Sequence, residues 1–259
     1  MVGVSHGCAS STNAAARSWK PRFSPQEAWS TVPVTEVQAV LRQTFGQWGR
    51  PARFRVDNGV PWGSSGDLPP DLALWLLGLG VETVTNPPRR PQDNGVVERS
   101  QGTGKRWAEP GTCADAGELQ RRLQEMDLIQ RQEYPSLKGR SRLEAYPELK
   151  HSGRDYSQAW ERKHWSLDRV LAHVAGYAVP RKVDKAGTIS LYNHNHYVGK
   201  LHAGKLVYVM LDPHRREWIF ANEQGQQLRT QPAEQLSQHR IQSLTVTEPR
   251  RSGKTRCRI

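Results

Sequence analysis

The chain has 259 residues, is 36% hydrophobic, and sets 37 Lys and Arg against 25 Asp and Glu for a formal net charge of +12. No apolar run approaches the roughly 20 residues that span a bilayer; the longest is Leu72 to Leu79, and residues 1–20 lack the apolar stretch of a signal peptide. Cys8, Cys113 and Cys257 are too widely spaced for a CxxC metal pair or a disulfide scaffold, so the expected setting is a reducing cytoplasm with no membrane. The excess of positive charge favours a polyanionic partner.

Residues 1–26 are rich in Ser, Ala, Gly and Arg without helical or strand period, and are expected to be disordered or unrelated to the rest of the chain. Val34, Val37, Leu41, Phe45 and Trp48 recur at helical steps and fall on one face, with Gly49 and Pro51 ending the helix. Ala52 to Val56 reads as a short strand running into the turn Asp57-Asn58-Gly59. After Pro69-Pro70, Asp71 to Leu77 predicts a short buried helix with Asp71 at its positive end. Val81 to Thr85 reads as a second strand, and a loop through Gly95 leads to a helix from Val96.

Asp115 and Glu118 have capping-box spacing before the stripe Leu119, Leu123, Met126 and Ile129. Residues 135–165 hold Pro, Gly and many charges and read as linker, followed by a short helix over 166–175. Five strands (178–183, 188–192, 205–211, 217–221 and 226–230) predict a small barrel. From Arg240 onward there are six basic residues and one acid, the pattern of a flexible basic tail. The expected organisation is therefore an N-terminal segment (1–26), a catalytic-type core (27–134), a basic linker with a helix (135–176), a barrel (177–240) and a tail (241–259).

Two carboxylates stand out by context. Asp57 follows a strand and Glu98 opens a helix, and a strand's carboxyl end faces the crevice where open α/β sheets place ligands. Together they suit a hard cation such as Mg²⁺. Equally, Asp before Asn-Gly is an ordinary turn residue, and Glu in a first helical turn an ordinary dipole partner. Arg89-Arg90 reads either as a solvated pair or as a phosphate contact. His194 and His196 share a strand face but have no third ligand in view, so a turn or a DNA-facing surface is expected rather than a zinc site. Trp75 and Trp218 lie in apolar patterns and are expected in cores, whereas Trp62, Trp107, Trp160 and Trp165 sit near charges, either stacking on bases or half-buried under loops.

Phe54-Arg55-Val56-Asp57-Asn58-Gly59, followed by Pro91-Gln92-Asp93-Asn94-Gly95-Val96-Val97-Glu98-Arg99, resembles the integrase core of insertion-sequence transposases and retroviral integrases. The resemblance implies an α/β fold: a partial RNase H-like core followed by a small SH3-like β-barrel that binds DNA. It also implies an Asp-Asp-Glu triad holding Mg²⁺ or Mn²⁺, and metal-dependent cleavage and strand transfer on double-stranded DNA at transposon ends and target. By the same resemblance the chain would be a homo-oligomer in a bacterial cytoplasm, on the nucleoid when bound to DNA. Asp57 would be the second acid and Glu98 the third, with an inserted loop at 62–70 lengthening their separation. Arg99, Lys105 and Arg106 would contact DNA from the helix after Glu98, and Arg89 and Arg90 would hold target phosphates. Gly102 and Gly104 weaken that helix by about 1 kcal/mol each relative to Ala.

The departure from the family lies upstream. No Asp precedes Asp57; the acids there are Glu27 and Glu36, and neither occupies a first-strand position. Nothing in residues 1–26 reads as the core's first three strands. The resulting expectation is an N-terminally truncated core whose catalysis is lost in the isolated chain. The alternatives are a non-catalytic DNA-binding remnant and a relic without function.

Overall fold

The computed structural model describes residues 33–56, 62, 68–85, 95–135 and 137–244. They form a mixed α/β structure divided into two units, the first taking the residues up to 65 and from 72 to 165, the second residues 66–71 and those from 166. No helix among the described residues is long and apolar enough to cross a membrane.

In the first unit, α1 (Val34–Trp48), β1 (Arg53–Val56), α2 (Asp71–Gly78, its first residue counted with the second unit) and β2 (Glu82–Thr85) follow the apolar pattern closely. β1 and β2 pair in parallel, Arg53 opposite Glu82 and Val56 opposite Thr85, so α2 belongs to a strand–helix–strand connection of the kind parallel pairing requires. Val40, Leu41 and Phe45 of α1 pack into the same core as Leu74, Trp75 and Leu76 of α2, all nearly inaccessible to solvent. The Phe45 ring stacks on Trp75 and meets Tyr156 edge-on. Gly78 is fixed by packing: a Cβ there would stand 2.1 Å from the Trp165 ring, whose Nε1 donates to the Trp75 carbonyl (3.0 Å). Next come α3 (Gly95–Ala108) and α4 (Ala116–Gln132). Asp115 caps α4 by accepting from the Glu118 backbone N–H, and the Glu118 carboxylate accepts from Ala114 N–H in turn.

The stretch expected as a linker is divided between the units. Residues 137–165 belong to the first, where they form α5 (Arg142–Ala145), a 3-10 turn at Pro147–Lys150 and α6 (Gln158–His164). Most of its charges are exposed, but two of them, Arg154 and Glu161, are internal ties. Arg154 donates to the carbonyls of Pro51 and Gly80. Arg50, itself 8% exposed, donates to those of Leu79 and Asp155 and lies 3.5 Å over the Trp160 ring. Glu161 of α6 accepts from Arg42 Nε (3.0 Å) and Nη2 (2.7 Å), from Trp75 Nε1 (2.9 Å) and from the Tyr156 hydroxyl.

The second unit begins with α7 (Leu167–Val174), whose Val170, Leu171 and Val174 are buried as its spacing predicts. An antiparallel sheet then runs in the order β3 (Val179–Lys182), β6 (Leu206–Asp212), β7 (Glu217–Ala221), β8 (Gln227–Pro232). β4 (Thr188–Leu191) and β5 (His194–Tyr197) form a separate hairpin, and α8 (Gln238–Ser243) closes the described chain. The sheets are not closed, so the expected barrel is corrected to an open four-stranded sheet plus a hairpin. β5 is the strand that sequence reading passes over, because His-Asn-His-Tyr carries no apolar alternation. Tyr192 and Asn193, both at positive φ (48° and 62°), make the two-residue turn that creates it. Pro180 sits on the edge strand β3, where a missing N–H is harmless.

A directed hydrogen-bond chain crosses this unit. Trp218 can only donate, so its Nε1 contact with Gln235 Oε1 (3.2 Å) turns the Gln235 amide N–H₂ toward His196 Nε2 (2.8 Å). His196 is therefore neutral, with its proton on Nδ1, which donates to Gln231 Oε1 (2.8 Å). Gln231 Nε2 completes the chain at the Tyr197 carbonyl (2.6 Å). Both ring nitrogens are engaged, so the expected turn or DNA-facing surface is corrected for His196 to a buried strand residue.

Candidate nucleic-acid interface

α3 carries most of the described residues that the sequence singled out, and its two faces are made of different materials. Ser100, Gly104 and Ala108 recur every four residues and are buried. They are small because α4 lies close: a Cβ on Gly104 would stand 3.3 Å from the Met126 side chain. Gly104 thus has a packing reason, whereas a Cβ on Gly102 would meet nothing within 4 Å.

The opposite face is charged. Glu98, Arg99, Lys105 and Arg106 are all exposed. Glu98 stands in the first turn and Lys105 and Arg106 in the last, the signs that the helix dipole favours at each end. Glu98 and Lys105, and likewise Arg99 and Arg106, are seven residues apart and so share a face. The two arginines stand about 10 Å apart along the axis. Beside them Trp107, 39% exposed, meets the Tyr134 ring edge-on at 5.4 Å. Nothing in the sequence marked Tyr134; it lies just past the end of α4.

Asp57, Arg89 and Arg90 lie outside the described residues. Position 57 directly follows Val56, the last residue of β1. Among the described residues no group of three or more His, Cys, Asp or Glu could hold a metal ion. Glu98, an exposed carboxylate, fits a hard cation as one oxygen ligand among several.

The tryptophans near charges sort themselves. Trp165 is buried, Trp160 lies under Arg50 and stacks on His164, and Trp62 packs on Phe54. Among these, Trp107 remains open to a ligand. Trp75 and Trp218 are core residues, at 0% and 1% exposure. No protein-family model matches the chain.

Proposed function

We propose that the chain is a double-stranded-DNA-binding protein of the integrase-core transposase type, with a partial RNase H-like first unit, and that by itself it binds DNA without strand transfer. One observation carries the reading: Arg99, Lys105 and Arg106 form an exposed basic face on the helix that begins with Glu98. It is supported by the parallel β1–β2 pair, with Asp57 next in sequence after β1.

Binding follows from charge. Each guanidinium or ammonium that meets a phosphate displaces condensed counterions, so affinity falls steeply with salt and is indifferent to sequence. Lysine acts as a mobile point charge, while the two arginines engage phosphate oxygens in pairs and fix the helix's register on the backbone. Mg²⁺ or Mn²⁺, when bound, would supply charge neutralisation at a scissile phosphate, and Asp57 and Glu98 are the residues that would hold it. The chain of 259 residues contains no Asp before position 57. Two carboxylates alone would leave a hard cation short of oxygen ligands, so metal would be held weakly.

The test is a salt titration of duplex binding by fluorescence anisotropy. Replacing Arg99, Lys105 and Arg106 together with Ala is expected to flatten the slope of log affinity on log salt by about 3, while Asp57→Ala and Glu98→Ala leave binding intact. Affinity that barely changes from low to moderate salt would sink the reading. Strand transfer with Mn²⁺ that disappears in Asp57→Ala would overturn its non-catalytic half.

A further inference from the structure

The second unit exposes a leucine where folding gives it no reason to be. Leu201 is 88% exposed, the most exposed of the large apolar residues described. It sits in a 3-10 turn, Lys200–His202, between β5 and β6. The turn is built rigidly. Gly187 and Gly199 touch, and the Gly187 carbonyl accepts from both Val198 N–H (2.8 Å) and Gly199 N–H (3.0 Å). Gly204 N–H donates to the Val183 carbonyl and Val183 N–H to that of Lys205, which ties the far side of the turn to β3. Gly187, Gly199 and Gly204 all have positive φ (83°, 139° and 80°), a conformation that other residues rarely adopt.

Exposed lysines lie on the turn and its neighbouring segments. Lys182, Lys185, Lys200 and Lys205 are all exposed, Lys200 from the turn, Lys205 just before β6, and Lys182 and Lys185 from β3 and the turn after it. From residue 178 to 211 the chain has five Lys and Arg and a single acid, Asp184. That acid is already occupied by Thr188 Oγ1 (2.6 Å) and the backbone N–H groups of Ala186 and Thr188. The result is an apolar tip on a braced turn, with exposed cations on that turn and on the segments bonded to it.

We infer that Leu201 is a wedge that enters the minor groove of duplex DNA and partly unstacks one base step, while Lys200 and Lys205 hold the flanking phosphates. Apolar side chains flanked by basic ones unstack steps in this way and kink the duplex toward the major groove. Pyrimidine–purine steps yield most easily, so TA and CA steps are the preferred entry points. A flexible tip would lose the advantage by its own ordering, and the glycine clamp prevents that. The inference rests on the DNA-binding reading above and deepens it by adding a site on the second unit.

The full chain is titrated onto a short duplex with a central TA step, labelled at both ends for energy transfer, with anisotropy read in parallel. The wild type is expected to bind and to bring the ends together. Leu201→Ala, at a position that supports no core, is expected to bind about tenfold more weakly with the salt slope unchanged and the ends no longer approaching. Lys200→Ala with Lys205→Ala is expected to lower the salt slope by about 2. A wild type that binds without bending, a Leu201→Ala variant that bends like wild type, or an unchanged slope in the lysine variant overturns the inference and leaves DNA binding standing. A wild type that does not bind at low salt overturns the proposed function itself. If Leu201→Ala leaves binding and bending intact but lowers self-association in sedimentation, the leucine belongs to a protein contact and the inference falls.

Discussion

Glu161 in the first unit is buried and Asp71 in the second is largely shielded, and each pairs with an arginine, yet their proton affinities move in opposite directions. For Glu161, burial alone pushes the pKa up, but hydrogen bonds from Arg42, Trp75 and Tyr156 outweigh it and hold the group below its ordinary 4.5. For Asp71, burial wins over the Arg240 pair (2.9 and 3.1 Å), and the pKa lies above its ordinary 3.8. Both groups lose water; what differs is the replacement. Glu161 regains four donors from three side chains, Asp71 two donors from one. A buried ion pair is thus a weak argument for stability until its remaining lone pairs are counted.

The sharpest way to break this comparison is Glu161→Ala. It removes the shared acceptor of Arg42, Trp75 and Tyr156, and is expected to cost about 3 kcal/mol in chemical denaturation, the low end for a broken buried pair because Arg42 is partly exposed and keeps its bond to Gln38. A loss below about 1 kcal/mol would mean that the four donors find other partners.

Acid should separate the units next. Burial lowers the His196 pKa below its ordinary 6.5; the neighbouring His194 adds to the shift, and Gln231 and Glu234 work against it. Since the unfolded chain takes up that proton more readily, stability is full above about 6.5 and falls as pH drops through the depressed value. Glu161 behaves as a depressed acid: its contribution is full above 4.5 and fades as pH falls through its own lowered pKa. The second unit is therefore expected to loosen at milder acid than the first. Amide exchange followed from pH 7 to 4 checks the order, and His196→Gln should remove the earlier step.

Smaller effects sharpen the picture. Gly102→Ala adds a Cβ in open space on α3 and is expected to stabilise by about 1 kcal/mol in the same denaturation. Asp71→Leu with Arg240→Met is expected to stay within about 1 kcal/mol of the parent, since the pair it replaces offers little net gain. A large loss there would show that the two paired acids are alike after all.

Where apolar periodicity governs, the sequence is a good guide. α1, β1, α2, β2, α4 and α7 lie within a few residues of their expected positions, because each buries one face or a short apolar run. The 135–165 stretch defeats that reading for a definite reason. Arg154, Glu161 and Arg50 act as internal fasteners between segments far apart in the chain, and local composition cannot distinguish a charge facing water from one facing a carbonyl. β5 escapes for a related reason: His196 is buried by its partners Gln231 and Gln235, not by hydrophobicity. On the candidate site, exposure of Glu98, Arg99, Lys105 and Arg106 follows from the helix period. The packing role of Gly104 does not, because it depends on where α4 passes.

The contact between Gly187 and Gly199 carries a consequence for how this sequence can drift. A Cβ at position 187 would lie 2.6 Å from backbone atoms of Gly199 and Lys200 that cannot yield. In a saturation library, every substitution at Gly187 should therefore be purged by a screen for folded protein. Leu201, on the loop that this glycine braces, should accept nearly all twenty residues in that screen and few in a screen for DNA distortion. A single loop would then hold two adjacent records, one written by folding and one by what the folded chain touches.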